Sequence, residues 1–256
     1  MHWVNDENRG RAWICRIGLQ FTAIALGLLC LSDIMVLVSI VPEARAIVRR
    51  LLALPVWSQG VHAAIPITGF LGALFLWGRW EDSSWRRAAG ALFLLDGFDA
   101  MSWLVLDSGL VVNSEFHHQW LLSIATEGFG WIELALTAWL AHAIAARLGS
   151  ASETVTRLAQ TARGQCVIGL GLWLVFTIVA TDWAWPLQQG PLDLIGYLVF
   201  LCSRLVQATV TFQVTVLCLT VAWECRRFLR ESSFGHDDQH LLRSRSETEG
   251  EEIFWK

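Results

Sequence analysis

Six stretches of twenty or more residues with few or no charges punctuate this chain, and that repetition constrains its fold more than any other feature. An α-helix needs about 20 predominantly apolar residues to cross a bilayer's hydrocarbon core. The stretches run approximately Trp13–Val41, Val61–Trp80, Ala88–Val112, Leu121–Leu148, Gln165–Trp185 and Leu194–Trp223. Charged residues make up only 16% of the 256, against about a quarter in an ordinary soluble domain. A soluble globular enzyme, a disordered chain and a secreted disulfide scaffold are thereby excluded. A net charge of −4 also argues against a basic nucleic-acid binder.

The expectation is an all-α integral membrane protein, a bundle of about six transmembrane helices. Residues 1–12 form a short cytoplasmic N-terminus and 13–223 the membrane domain. An external amphipathic segment lies near 43–57, and 224–256 form a flexible cytoplasmic tail. Ala44-Arg45-Ala46 has the small-x-small form of a signal-cleavage site, but the first apolar stretch is about twice as long as a signal h-region, so it is read as a retained anchor.

Basic residues set the orientation. Of the 19, 15 fall before span 1, between spans 2 and 3, between spans 4 and 5, or in the tail. By the positive-inside rule both termini are cytoplasmic, and the protein sits in the cell membrane as a multi-pass chain. Arg45, Arg49 and Arg50 dissent, because they lie on the expected outer side. From Glu43 to Leu54 the pattern is amphipathic, with Ile47, Val48, Leu51 and Leu52 on one face and arginines on the other. Such a helix can lie in the headgroup region. Most of the 15 tryptophans sit near span ends, as an interfacial anchoring belt does. Trp103, Trp131 and Trp173 lie deeper, as packing or pore-lining residues would.

Ionisable residues inside a span are costly and turn toward the interior of a bundle, which makes them the candidate site. Asp33, Asp96, Asp99, Asp107, Glu127, Glu133 and Asp182 occupy spans, beside one arginine, Arg204. Counting about 1.5 Å per residue from the cytoplasmic arginines puts most of these acids in the outer half. In span 3, Asp96, Asp99, Trp103 and Asp107 form one helical stripe; in span 4, Thr126, Gly130, Glu133 and Thr137 form another. Arg204, Gln207, Thr211 and Thr215 make a third in span 6. Span 2 presents His62, Pro66, Gly69 and Gly72, a thin face suited to close approach.

These stripes predict a polar path through Asp96, Asp99, Glu127, Glu133, Arg204 and Gln207. Arg204 calls for a carboxylate partner, Glu127 first and Asp107 second. A pair of this kind serves either as a structural lock on register or as part of a gate. His62, His117 and His118 are weak metal candidates, because no fixed ligand spacing joins them. The six cysteines form no C-x-x-C pair, and no cofactor follows from the sequence.

Three functions fit. The first expectation is a secondary transporter or channel-like protein for a proton, cation or small solute. Its partners are then the bilayer and that cargo. A non-catalytic subunit of a larger membrane complex is second, with other membrane proteins as partners. An intramembrane metalloenzyme is third; an enzyme is the weaker expectation.

Overall fold

The computed structural model describes the backbone of residues 6–54, 56–77, 82–107, 116–183 and 191–253. Side chains are described for 9–54, 57, 60–77, 82–104, 125–175, 177, 198–199 and 201–231. The described residues are all-helical, with no strand: α1 (Asp6–Val38), α2 (Pro42–Leu52), α3 (His62–Leu76), α4 (Ser83–Asp107), α5 (Phe116–Arg147), α6 (Glu153–Trp183) and α7 (Pro191–Ile253). A π-helical turn, Val56–Val61, runs directly into α3. Three stretches, Arg9–Val38, Ala125–Arg147 and Leu201–Glu231, are long and apolar enough to cross a membrane. That property associates the chain with a membrane.

The helices pack in chain order, α1 on α3, α3 on α4, α4 on α5, α5 on α6 and α6 on α7, and α7 closes onto α1. Neighbours run antiparallel, as the paired residues show. Gly18 faces Leu76 while Gly69 approaches Ala25 across α1 and α3. Phe98 meets Phe129 edge-on at 5.4 Å near one end of α4 and α5. At the other end, Asp82, just ahead of α4, pairs with Arg147 at 2.9 Å. Gly27 faces Thr215, and the Cys30 thiol points to the Ala208 carbonyl at 3.6 Å, between α1 and α7.

Small residues permit the closest of these contacts. A Cβ on Gly72 would collide with the Thr22 hydroxyl and lie 2.9 Å from its backbone nitrogen. Thr22 itself donates to the Gly18 carbonyl at 3.0 Å, so its hydroxyl is turned back onto its own helix. The thin face read from span 2 is in fact the buried face of α3: Pro66, Gly69, Gly72, Ala73 and Leu76 are buried, whereas His62 is exposed.

The dry core lies toward one end. Cys15, Leu19, Leu76, Trp85, Ala89, Leu140, Ile144, Leu217, Val221 and Cys225 are all at 0% exposure and belong to one cluster. That end also carries Arg16, Arg86, Arg87, Arg147, Arg226 and Arg227. Its α5–α6 connection is tight because Gly149 adopts a left-handed φ of 67°. Ser150 then donates its backbone N–H to the Ala145 carbonyl at 3.0 Å, satisfying a helix-end acceptor. Ser152 caps α6 by accepting from the Val155 N–H at 3.2 Å.

Two extents differ from the sequence expectation. α6 begins at Glu153, a dozen residues before Gln165, because the cap and the Glu153–Arg157 pair one turn apart support a polar lead-in. The 224–256 segment, expected to be a flexible tail, is helical as far as Ile253. No proline follows Pro191, and Arg227 pairs with Glu231 at 2.8 Å one turn apart, so α7 continues past the end of the apolar stretch at Trp223.

Candidate functional site

Away from the dry core, the array opens into a partly open cavity of about 280 Å³. Each helix brings a different kind of surface to it. α1 contributes Ala25, Leu26 and Leu29, and α3 contributes Ile65, Pro66 and Gly69. α4 brings Asp96 and Asp99; α5 brings Thr126, Glu127, Gly130 and Glu133; α7 brings Arg204 and Gln207. The wall is apolar on one side and carries Asp96, Asp99, Glu127, Glu133 and Arg204 on the other.

All six residues expected on a polar path line this one cavity. The residues of α4 and α7 face each other across open space, because α5 and α1 separate those two helices. Local sequence explains the opening. Gly69 and Gly130 add no side-chain volume, and a Cβ on Gly69 would sit 3.2 Å from an Asp96 carboxyl oxygen. Asp96 therefore lies over a bare patch of α3 that any larger residue would fill.

Arg204 is held from three sides. Its guanidinium reaches Glu127 of α5 at 3.0 Å and Asp33 of α1 at 3.6 Å, and it donates to the Gln207 side-chain oxygen at 3.0 Å. Gln207 lies one turn along the same helix and orients the cation. Asp33 is 4% exposed, and its second carboxyl oxygen is buried with no hydrogen-bond partner among the described residues. Depth counting from the basic end put Asp33 and Arg204 at similar heights. The adjacency of the first and last spans, which makes them partners, is not a local property of the sequence. The side chain of Asp107 lies outside the described residues.

Glu133, Asp96 and Asp99 form the second cluster. All three line the cavity, yet none has a hydrogen bond or ion pair among the described residues. Among the described residues, Glu127 and Asp33 thus share Arg204, while Asp96, Asp99 and Glu133 line the cavity with no cation paired to them.

Among the described residues, no three His, Cys, Asp or Glu side chains are close enough to hold a metal ion. His62 is exposed at the start of α3 and does not line the cavity. His117 and His118 are on α5, but their side chains lie outside the described residues. None of the six cysteines is in a disulfide.

The second site-building device is the α5–α6 contact, which the sequence did not announce. A Cβ on Gly169 would overlap the Trp131 indole, and one on Gly128 would come within 2.6 Å of Trp173. This reciprocal seating fixes the helix that carries Glu127 and Glu133. No protein-family model, characterised protein or solved structure matches the chain.

Proposed function

We propose that this protein is a multi-pass transporter of the cell membrane that carries a proton or small cation through the acid-lined cavity. α1, the π-turn with α3, α4, α5, α6 and α7 are its six spans, and both termini face the cytoplasm. The observation that carries this reading is the charge imbalance in one space. Arg204 is already matched by Glu127 and Asp33, whereas Asp96, Asp99 and Glu133 face the cavity unmatched.

An unpaired carboxylate away from bulk water is costly, and entry of positive charge relieves that cost. The three acids belong to neighbouring helices, α4 and α5, but among the described residues they do not stand close enough to hold a bare metal ion, so their grouping suits a proton, or a cation carrying its own water. The dense core beneath the cavity closes it toward the basic end, which the positive-inside rule assigns to the cytoplasm.

The test is reconstitution of purified protein into liposomes loaded with a pH-sensitive dye. Wild-type protein is expected to move protons down an imposed gradient, alone or with an added cation, and Glu133→Gln and Asp99→Asn to abolish that flux while still inserting. Flux equal to that of empty liposomes, or unchanged in both variants, overturns the proposal. Purification only as part of a large assembly would instead favour a subunit role.

A further inference from the structure

We propose that α2 is a docking surface for anionic phospholipid headgroups, with Arg45, Arg49 and Arg50 taking the phosphates and Ile47, Leu51 and Leu54 entering the acyl boundary. The inference rests on the chain being embedded in a membrane and does not depend on what the cavity carries.

Depth is the first argument. From Arg16 to Val38, α1 rises about 33 Å, close to the thickness of a hydrocarbon core. α2 starts four residues later, so it begins where the apolar layer stops. Its position is tied at both ends. Ser39 and Ile40 donate backbone N–H groups into the last turn of α1, and Arg45 Nε donates to the Ser39 carbonyl at 3.1 Å. At the far end, the Trp57 N–H bonds to the Leu54 carbonyl at 2.8 Å. The helix therefore cannot swing far from the surface.

The faces are the second argument. At 100° per residue, Ile47, Val48, Leu51 and Leu52 share one side of α2, and Arg45, Arg49 and Arg50 occupy the other. The protein covers only part of the apolar side. Val48 is buried at 5%, while Ile47, Leu51 and Leu54 remain 63%, 42% and 52% exposed. An apolar edge left open at this depth meets lipid, and amphipathic helices lie in the interface in this way.

Charge decides which lipid. The three arginines have no carboxylate partner among the described residues, and Glu43 is the only acid on the helix. The segments between expected spans 3 and 4 and between spans 5 and 6, which belong to the same end, contain no arginine or lysine. Guanidinium groups pair with phosphate oxygens through two parallel N–H donors, and a net positive helix at headgroup depth selects anionic lipid.

The experiment uses full-length protein in nanodiscs of phosphatidylcholine with a minority of phosphatidylglycerol, and counts retained phosphatidylglycerol by native mass spectrometry. A spin label at Ile47→Cys, in a Cys202→Ser background, reports collision with oxygen against a water-soluble nickel chelate. We expect preferential retention of phosphatidylglycerol that salt weakens, and a label reached mainly by oxygen. Each arginine changed to Gln should lower the relative retention about fivefold, with Lys preserving most of it. Should the Gln variants aggregate, the Lys variants and the salt titration of wild type decide the matter. Retention insensitive to both salt and substitution overturns the proposal. So does a label reached mainly by nickel, or an acidic protein found bound to α2 in place of lipid.

Discussion

The Trp131 indole of α5 occupies the space that any side chain on Gly169 of α6 would need. Trp131 is 1% exposed, so it has nowhere to retreat. Trp173 and Gly128 repeat the arrangement with the roles of the helices exchanged. Overpacking a close contact costs about 1–3 kcal/mol. Gly169→Ala should lower thermal stability in detergent by that order, and adding Trp131→Phe should recover part of the loss. Additive effects of the two substitutions would show that the indole is free to move aside.

Arg204 makes a second prediction, because its one guanidinium pairs with two acids, Glu127 and Asp33. Breaking a buried pair by removing one partner destabilises by about 3–5 kcal/mol, since the remaining charge is uncompensated. Arg204 and Glu127 are 24% and 21% exposed, so Arg204→Leu should cost no more than the lower end of that range, measured by unfolding in detergent. Adding both Asp33→Asn and Glu127→Gln should restore much of it. Arg204→Lys keeps the charge but loses the planar fork, so it should lie between wild type and Arg204→Leu. Equal stability of Arg204→Leu and wild type would mean that water, not protein, solvates these groups.

What the sequence disclosed, and what it withheld, follows from the range of each interaction. Helical periodicity put Asp96 with Asp99, Glu133 with Gly130, and Arg204 with Gln207, because those spacings are local. Depth counting matched Arg204 with Glu127, because distance along a helix is fixed at about 1.5 Å per residue. Asp33 escaped as a partner because the contact between the first and last spans depends on how the array closes. The Gly128 and Gly169 seats escaped because a glycine in an apolar span reads the same whether it faces lipid or an indole. The end of α7 escaped because loss of hydropathy marks the end of a span, not the end of a helix.

At the basic end, a pH-dependent clasp joins the connection before α4 to the end of α5. Asp82 accepts from the Ser84 hydroxyl at 2.7 Å and its N–H at 3.0 Å, and pairs with Arg147 at 2.9 Å. The Ser84 hydrogen bonds, and then the Arg147 charge, hold its carboxyl below the usual carboxylate range. A carboxyl whose folded value is depressed contributes stability above its unfolded value and loses it as pH falls through the folded one. Wild type should therefore lose stability below about pH 4, where an unfolded aspartate takes up its proton. Asp82→Asn should show less of that acid dependence. Parallel acid profiles for the two proteins would remove Asp82 from the account.

Trp85 closes the same end from inside. Its indole N–H donates to the Leu76 carbonyl at 3.2 Å, satisfying one of the acceptors that the end of α3 leaves open. The Arg147 guanidinium lies 4.9 Å from its ring centroid, so one arginine engages both Asp82 and Trp85. Trp85→Phe keeps most of the apolar volume but strands a buried carbonyl, which costs about 1–3 kcal/mol. Arg147→Met should cost less, because Arg147 is partly exposed and solvent screens its charge. The reverse ranking in thermal unfolding would make the cation, not the hydrogen bond, the principal tie.

Thiol reactivity tests the dense core beneath the cavity. Cys202 is exposed, whereas Cys15, Cys30, Cys166, Cys218 and Cys225 are buried. A membrane-permeant maleimide should therefore label one cysteine rapidly in the folded protein and all six after denaturation in SDS. Cys218 and Cys225 carry the most information, because both lie on α7 within the seal between cavity and basic end. If the array remains closed there, both stay protected whatever cation is present. If transport opens the basic end in alternation with the outer side, Cys225 should gain reactivity on addition of cargo, with Cys218 following only if the opening reaches about two further turns inward. Rapid labelling of both without cargo would place a water path through the core and replace an alternating carrier with a continuous pore.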